Sequence, residues 1–115
     1  HFFVQRSGRV WQFVDTFARA WHAGRSSWQG NDNCNDYAVG IELEGLEGRS
    51  FTAAQYRALA ELVRALEHRH PICAIAGHED VAPGRKRDPG PGFDWRRLRR
   101  HLGRTALAFP PSATS

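Results

Sequence analysis

The run Gly77-His78-Glu79-Asp80-Val81-Ala82-Pro83-Gly84-Arg85-Lys86-Arg87-Asp88-Pro89-Gly90 sets an imidazole and a carboxylate ten residues apart, in a stretch otherwise made largely of turn formers and charges. Neutral imidazole and carboxylate suit Zn²⁺, and a catalytic zinc takes three protein ligands while keeping one position open for water. His78 and Asp88 can supply two of the three. The same residues also describe a solvated Gly/Pro loop, and a single His–Asp pair does not separate the two descriptions. Lys86, two residues before Asp88, is the one Lys among sixteen cations. A lysine can deprotonate where an arginine cannot, so its presence there argues mildly for chemistry.

The elements that must hold these groups are legible from pattern. Residues 2–14, FFVQRSGRVWQFV, are two apolar runs around Arg6-Ser7-Gly8-Arg9 and predict a β-hairpin with Gly8 supplying the positive φ. From Asp15 to Tyr37 the pattern dissolves into Gly, Asn, Asp and Ser, a length of loop that is often functional. Val39–Leu43 reads as a short strand with Val39, Ile41 and Leu43 on one face and Glu42 on the other. Glu44 shares the face of Glu42, so position alone does not distinguish them. Thr52-Ala53-Ala54-Gln55 is a capping box, followed at helical spacing by Tyr56, Leu59, Ala60, Val63 and Leu66, which predicts a helix over 53–69. After Pro71, Ile72–Ala76 (ICAIA) has the length and composition of a buried strand, and functional groups commonly follow such an element. Asp94 can cap a last helix whose Trp95, Leu98 and Leu102 share a face. A disordered tail is expected over 104–115.

Composition narrows the class. A chain of 115 residues with 41% hydrophobic and 24% charged residues, four Trp and seven Phe has the makings of one folded domain. No apolar run approaches the roughly 18–20 residues needed to span a bilayer, and no secretory leader pattern is present. The net charge of +4 permits acidic ligands without demanding nucleic acid, and the Arg-rich run at 96–104 reads as a solvated helix face. Two cysteines, Cys34 and Cys73, suit a reduced cytosolic protein, the first as a loop thiol and the second as a small buried residue. His68 and His70 close the long helix, where imidazoles favour the negative dipole end; their spacing of two does not build a metal site. With no Met anywhere, His1 is not expected to be where translation began.

Four ordered blocks, HFFVQRSGRVWQFV, AWHAG at 20–24, CNDYAVGIELEG at 34–45 and GHEDVAPGRKRDPGPGFDW at 77–95, resemble the zinc-dependent N-acetylmuramoyl-L-alanine amidases of the AmpD type. That family is related to bacteriophage lysozyme amidases and peptidoglycan recognition proteins. The resemblance implies an α/β fold with a mixed central sheet and packed helices, 1–103 being the C-terminal portion of the catalytic domain. It implies hydrolysis of the amide between 1,6-anhydro-N-acetylmuramic acid and L-alanine, by a cytoplasmic monomer engaged in cell-wall recycling. By the same resemblance two of the zinc ligands fall on His78 and Asp88, the catalytic Glu on Glu42 and the catalytic Lys on Lys86, while His1, Trp21, His22 and Arg85 lie beside the substrate. Chemistry agrees with these roles. Amide hydrolysis needs a polarised carbonyl, an acidified water, a group to move its proton and a donor for the oxyanion.

The first zinc ligand of the family is a His on a strand before the hairpin, so the resemblance implies that this ligand and its strand precede His1. Asn33 stands where a substrate-contacting Arg is expected. The rival reading from another class is a muropeptide-binding module that does not cut. A small basic nucleic-acid binder rests on charge alone, and neither nucleic acid nor membrane is expected as a partner.

Overall fold

The computed structural model describes residues 1–20, 23–46 and 49–110, apart from the side chain of Asp36. Gly8 turns the chain at φ +90°, with the Gly8 amide donating to Gln5 O and the Gln5 amide to Arg9 O, both at 2.8 Å. This joins β1 (Phe2–Val4) to β2 (Val10–Gln12) as the expected antiparallel hairpin. Between them and the next sheet strand lie a two-stranded ribbon, β3 (Ser27–Trp28) with β4 (Asn31–Asp32), and a 3₁₀ helix at Cys34–Asp36. β5 (Ile41–Leu43) then pairs parallel to β1, giving the order β2-β1-β5. The sheet is therefore mixed, and helices cover it, as expected of this α/β class.

The register sets Phe2 against Ile41, Phe3 against Glu42 and Val4 against Leu43. Because side chains alternate, Val4, Ile41 and Leu43 turn to the core while Glu42 faces the other side. α1 (Ala53–Arg69) begins with the predicted capping box, in which Thr52 and Gln55 exchange side-chain bonds to backbone. Gln55 does more than cap: it is 1% exposed, and its Nε2 donates to Val4 O at 3.2 Å and Glu44 O at 2.7 Å, tying the helix start to the ends of β1 and β5. α1 packs on α3 (Trp95–Leu102), whose Trp95, Leu98 and Leu102 form the predicted buried face. Phe93 is wedged between Tyr56, Phe51 and Trp95 with ring centroids 4.8–5.7 Å apart. No helix among the described residues is long and apolar enough to cross a membrane.

Two expectations are corrected. Ile72–Ala76 is not a buried strand: it makes a single parallel bridge, Ala74 to Ala108, and Cys73 is exposed. One short partner on one flank supplies too few ladder bonds to regularise it, and only Ile72 and Ile75 pack against the core. The partner is the chain end expected as disordered. Leu107 and Pro110 are buried, Phe109 packs edge-on against Trp95 at 6.4 Å, and Ala108 exchanges backbone bonds of 2.9 Å with Cys73 and Ile75. Apolar side chains at 107 and 109 are what hold 104–110 in place; 111–115 lie outside the described residues.

Candidate active site

Past Ala76 the chain enters α2 (His78–Val81), a single turn whose leading amide, on Gly77, donates to Asp80 Oδ2 at 2.7 Å. The Gly/Pro-rich loop after it doubles back, and the Glu79 amide donates to Asp88 O at 2.8 Å. This backbone bond fastens Asp88 beside the first turn, and the two predicted ligands meet: His78 Nδ1 lies 3.3 Å from Asp88 Oδ2. Gly77 allows the approach, since a Cβ there would stand 2.7 Å from Pro89 Cδ.

The second ring nitrogen decides what the first can do. His78 Nε2 lies 3.0 Å from Ala23 O, and a carbonyl oxygen only accepts, so Nε2 carries the proton. In the neutral ring Nδ1 is then a bare lone pair aimed at a carboxylate oxygen. Two acceptors at that range are reconciled by a proton on Nδ1 or by a cation held between them. A tetrahedral ion with ligands at about 2.0–2.1 Å spaces its donors by about 3.3–3.4 Å, so the pair fits one edge of a zinc site, and a backbone carbonyl on the far nitrogen is the usual outer-shell partner of a ligating histidine. Negative charge gathers here as well: burial pushes the Glu79 carboxyl up, with the charges of Asp80 and Asp88 adding to it, and burial raises Asp80 too. Among the described residues no third His, Cys, Asp or Glu joins the pair.

Of the remaining expected site residues, Arg85 joins His78 at the Ala23 carbonyl. Glu42 is exposed on β5, and no described residue hydrogen-bonds its carboxylate; Glu44, its indistinguishable neighbour in sequence, accepts the Arg6 amide at 2.8 Å and so is bound to the hairpin turn. Lys86 is exposed on the loop after α2. Neither makes a hydrogen bond or ion pair with His78 or Asp88. His1 is 8% exposed and turned to backbone: its Nδ1 accepts the Gly40 amide at 3.0 Å and its Nε2 meets Ala18 O at 2.7 Å. Arg85 Nη2 donates to Ala23 O and, at 2.7 Å, to Arg25 O. Trp21 and His22 lie outside the described residues. Asn33 sits exposed at φ 55°, a left-handed conformation that Asn tolerates well, at the start of the 3₁₀ helix. His68 and His70 stay apart from the site; His70 Nε2 meets Thr16 Oγ1 at 2.7 Å.

Three contributors were not singled out from sequence. Ala23 matters through its carbonyl, which no side-chain pattern reveals. Asn35 is 6% exposed, and its Oδ1 accepts the Ala23 amide at 2.8 Å, clamping the same peptide from behind. Gly77 matters through what it lacks. The Gly immediately before His78 was the one signal the sequence carried for any of them.

The profile of the N-acetylmuramoyl-L-alanine amidase family matches residues 1–91. The chain is 50% identical over 114 residues to the 1,6-anhydro-N-acetylmuramyl-L-alanine amidase AmpD of Citrobacter freundii, covering 97% of this chain and 58% of that protein. It is 50% identical over 101 residues to the AmpD of Escherichia coli K12, covering 86% and 55%. Among solved structures, a selenomethionine AmpD derivative superposes with a TM-score of 0.84 at 45% identity, over 90% of this chain and 59% of that one. The Escherichia coli amidase AmiD, in complex with anhydro-N-acetylmuramic acid-L-Ala-D-γ-Glu-L-Lys, gives 0.82 at 35% identity, over 88% and 46%. The chain thus spans about half the length of the curated relatives it matches. On this sequence match and this fold together, the chain belongs to the N-acetylmuramoyl-L-alanine amidase family and is of the AmpD type.

Proposed function

We propose that the protein hydrolyses the amide between (1,6-anhydro)-N-acetylmuramic acid and the L-alanine of its stem peptide, as a zinc enzyme of cytoplasmic cell-wall recycling, and that 1–103 is part of its catalytic domain. The observation that carries this reading is the His78 imidazole, protonated at Nε2 and aimed at Asp88 from 3.3 Å, in a chain of amidase ancestry. His78 Nδ1 and Asp88 Oδ2 would hold the zinc, which supplies a Lewis acid for the scissile carbonyl and a lowered pKa for water.

The chain's own residues do the rest. Glu42, exposed and free of the structural duty that occupies Glu44, takes the proton of the attacking water and returns it to the leaving amine. Lys86 donates to the oxyanion of the tetrahedral intermediate, and with Arg87 it draws in the carboxylates of the stem peptide. His1, Trp21, His22 and Arg85 are assigned to substrate contact on the family resemblance.

The test is mass spectrometry of anhydromuramyl-tripeptide incubated with the zinc-loaded protein. Free tripeptide is the expected product, lost on chelation and in the His78→Ala and Asp88→Ala proteins. Muropeptide that binds but stays intact in the presence of bound zinc would replace this reading with that of a non-cutting recognition module.

A further inference from the structure

The Ala23 carbonyl receives two donors at once, His78 Nε2–H and Arg85 Nη2–H, and the same guanidinium nitrogen continues to Arg25 O at 2.7 Å. We propose that Arg85 is a positioning residue: it holds the 23–25 loop so that the Ala23 carbonyl fixes the His78 imidazole with Nδ1 turned to Asp88. Residues 23–25 belong to no helix or strand, so no ladder aims that carbonyl. Asn35 secures the amide side of Ala23, leaving the carbonyl side to Arg85. The guanidinium lies close against the loop, where a Cβ on Gly24 would stand 3.0 Å from Nη2 and 3.2 Å from Nη1. The other end of the strut returns to the ligand's own segment, because the Arg85 amide donates to Ala82 O at 3.1 Å and the Ala82 amide to His78 O at 3.0 Å. A planar fork suits this bridging of carbonyls; a lysine offers a single flexible ammonium instead.

A plain local cation and a strut predict opposite signs. Removing a positive charge near a divalent ion strengthens its binding, whereas freeing the carbonyl that orients a ligand weakens it. The inference rests on the amidase reading for the identity of the metal; the state of the imidazole does not depend on it.

The experiment uses ¹⁵N-histidine-labelled, metal-free protein and reads the tautomer of the neutral His78 ring from long-range ¹H–¹⁵N spectra, followed by competitive zinc titration. In the wild type Nε2 carries the proton. In Arg85→Gln the Nδ1–H tautomer gains population and zinc binds about tenfold more weakly, the low end of outer-shell effects. Arg85→Lys recovers part of the affinity, and Arg87→Gln, the same charge change two residues away, keeps the tautomer and does not weaken zinc. The proposal is overturned if Arg85→Gln retains the wild-type tautomer, or binds zinc as tightly as the wild type or more so. If the wild type itself binds no zinc, the tautomer comparison alone decides the role of Arg85.

Discussion

Gly77→Ala isolates the packing that brings the two ligands together. Gly77 sits at φ −84°, ψ 160°, open to any residue, so the backbone itself meets no strain. By unfolded-state entropy alone the change would stabilise the protein by about 0.4–1 kcal/mol. Sterics reverse the sign. The new Cβ would stand 2.7 Å from Pro89 Cδ and 3.0 Å from Asp80 Oδ2, and carbon–carbon contact needs about 3.5–4.0 Å, so Pro89 must retreat by about 1 Å. Asp88 is its neighbour in the chain. A 1 Å retreat stretches the 2.8 Å Glu79 N–Asp88 O bond beyond hydrogen-bonding range, at a cost of about 1 kcal/mol, and exceeds several-fold the roughly 0.2 Å tolerance of a metal site. We therefore expect zinc affinity to fall at least about tenfold, or about 1.4 kcal/mol, and the metal-free protein to melt a few degrees lower. Isothermal titration with zinc and a thermal melt measure the two effects. An alanine protein that binds zinc like the wild type and melts no lower would show that Pro89 packing on Gly77 does not hold Asp88 in place.

Two further outcomes follow from the same geometry. Glu42→Gln should cut turnover by about 10²–10⁴ while leaving zinc stoichiometry unchanged in metal analysis, and equal loss of metal would make Glu42 a structural residue. Tyr56 Oη accepts the Asp94 amide at 2.7 Å, and burial raises its phenol above the usual range. Its contribution to stability is therefore intact below about pH 10 and lost as pH climbs through the raised value, so the melting advantage over Tyr56→Phe should hold at neutral pH and shrink above about pH 10.

Where periodicity is long or capping chemistry explicit, the sequence decides the outcome by itself. The hairpin follows from apolar runs around Gly8, α1 from the Thr52–Gln55 box and its apolar stripe, and α3 from Asp94 with Trp95, Leu98 and Leu102, because each is specified by contacts within a few residues. The four motif blocks and the family they indicate were equally legible. ICAIA was not: five apolar residues make a strand only if neighbours supply ladders, and those neighbours are set by the whole sheet. The 104–110 segment was misjudged for a related reason, since its order depends on Leu107 and Phe109 reaching a core assembled from α1 and α3.

The site divides in the same way. Residue type made His78 and Asp88 candidate metal ligands and the family resemblance selected them, but only tertiary structure brings their donor atoms to 3.3 Å, through a loop that doubles back onto α2. It also gives Glu44 a hydrogen bond with the hairpin turn, a difference from Glu42 that position along the strand did not carry. It alone supplies the Ala23 carbonyl, which fixes the His78 tautomer from 55 residues away. Sequence determines which chemical groups are available and which local elements form; distance and tautomer belong to contacts between segments remote along the chain, and these exist only once the chain has folded.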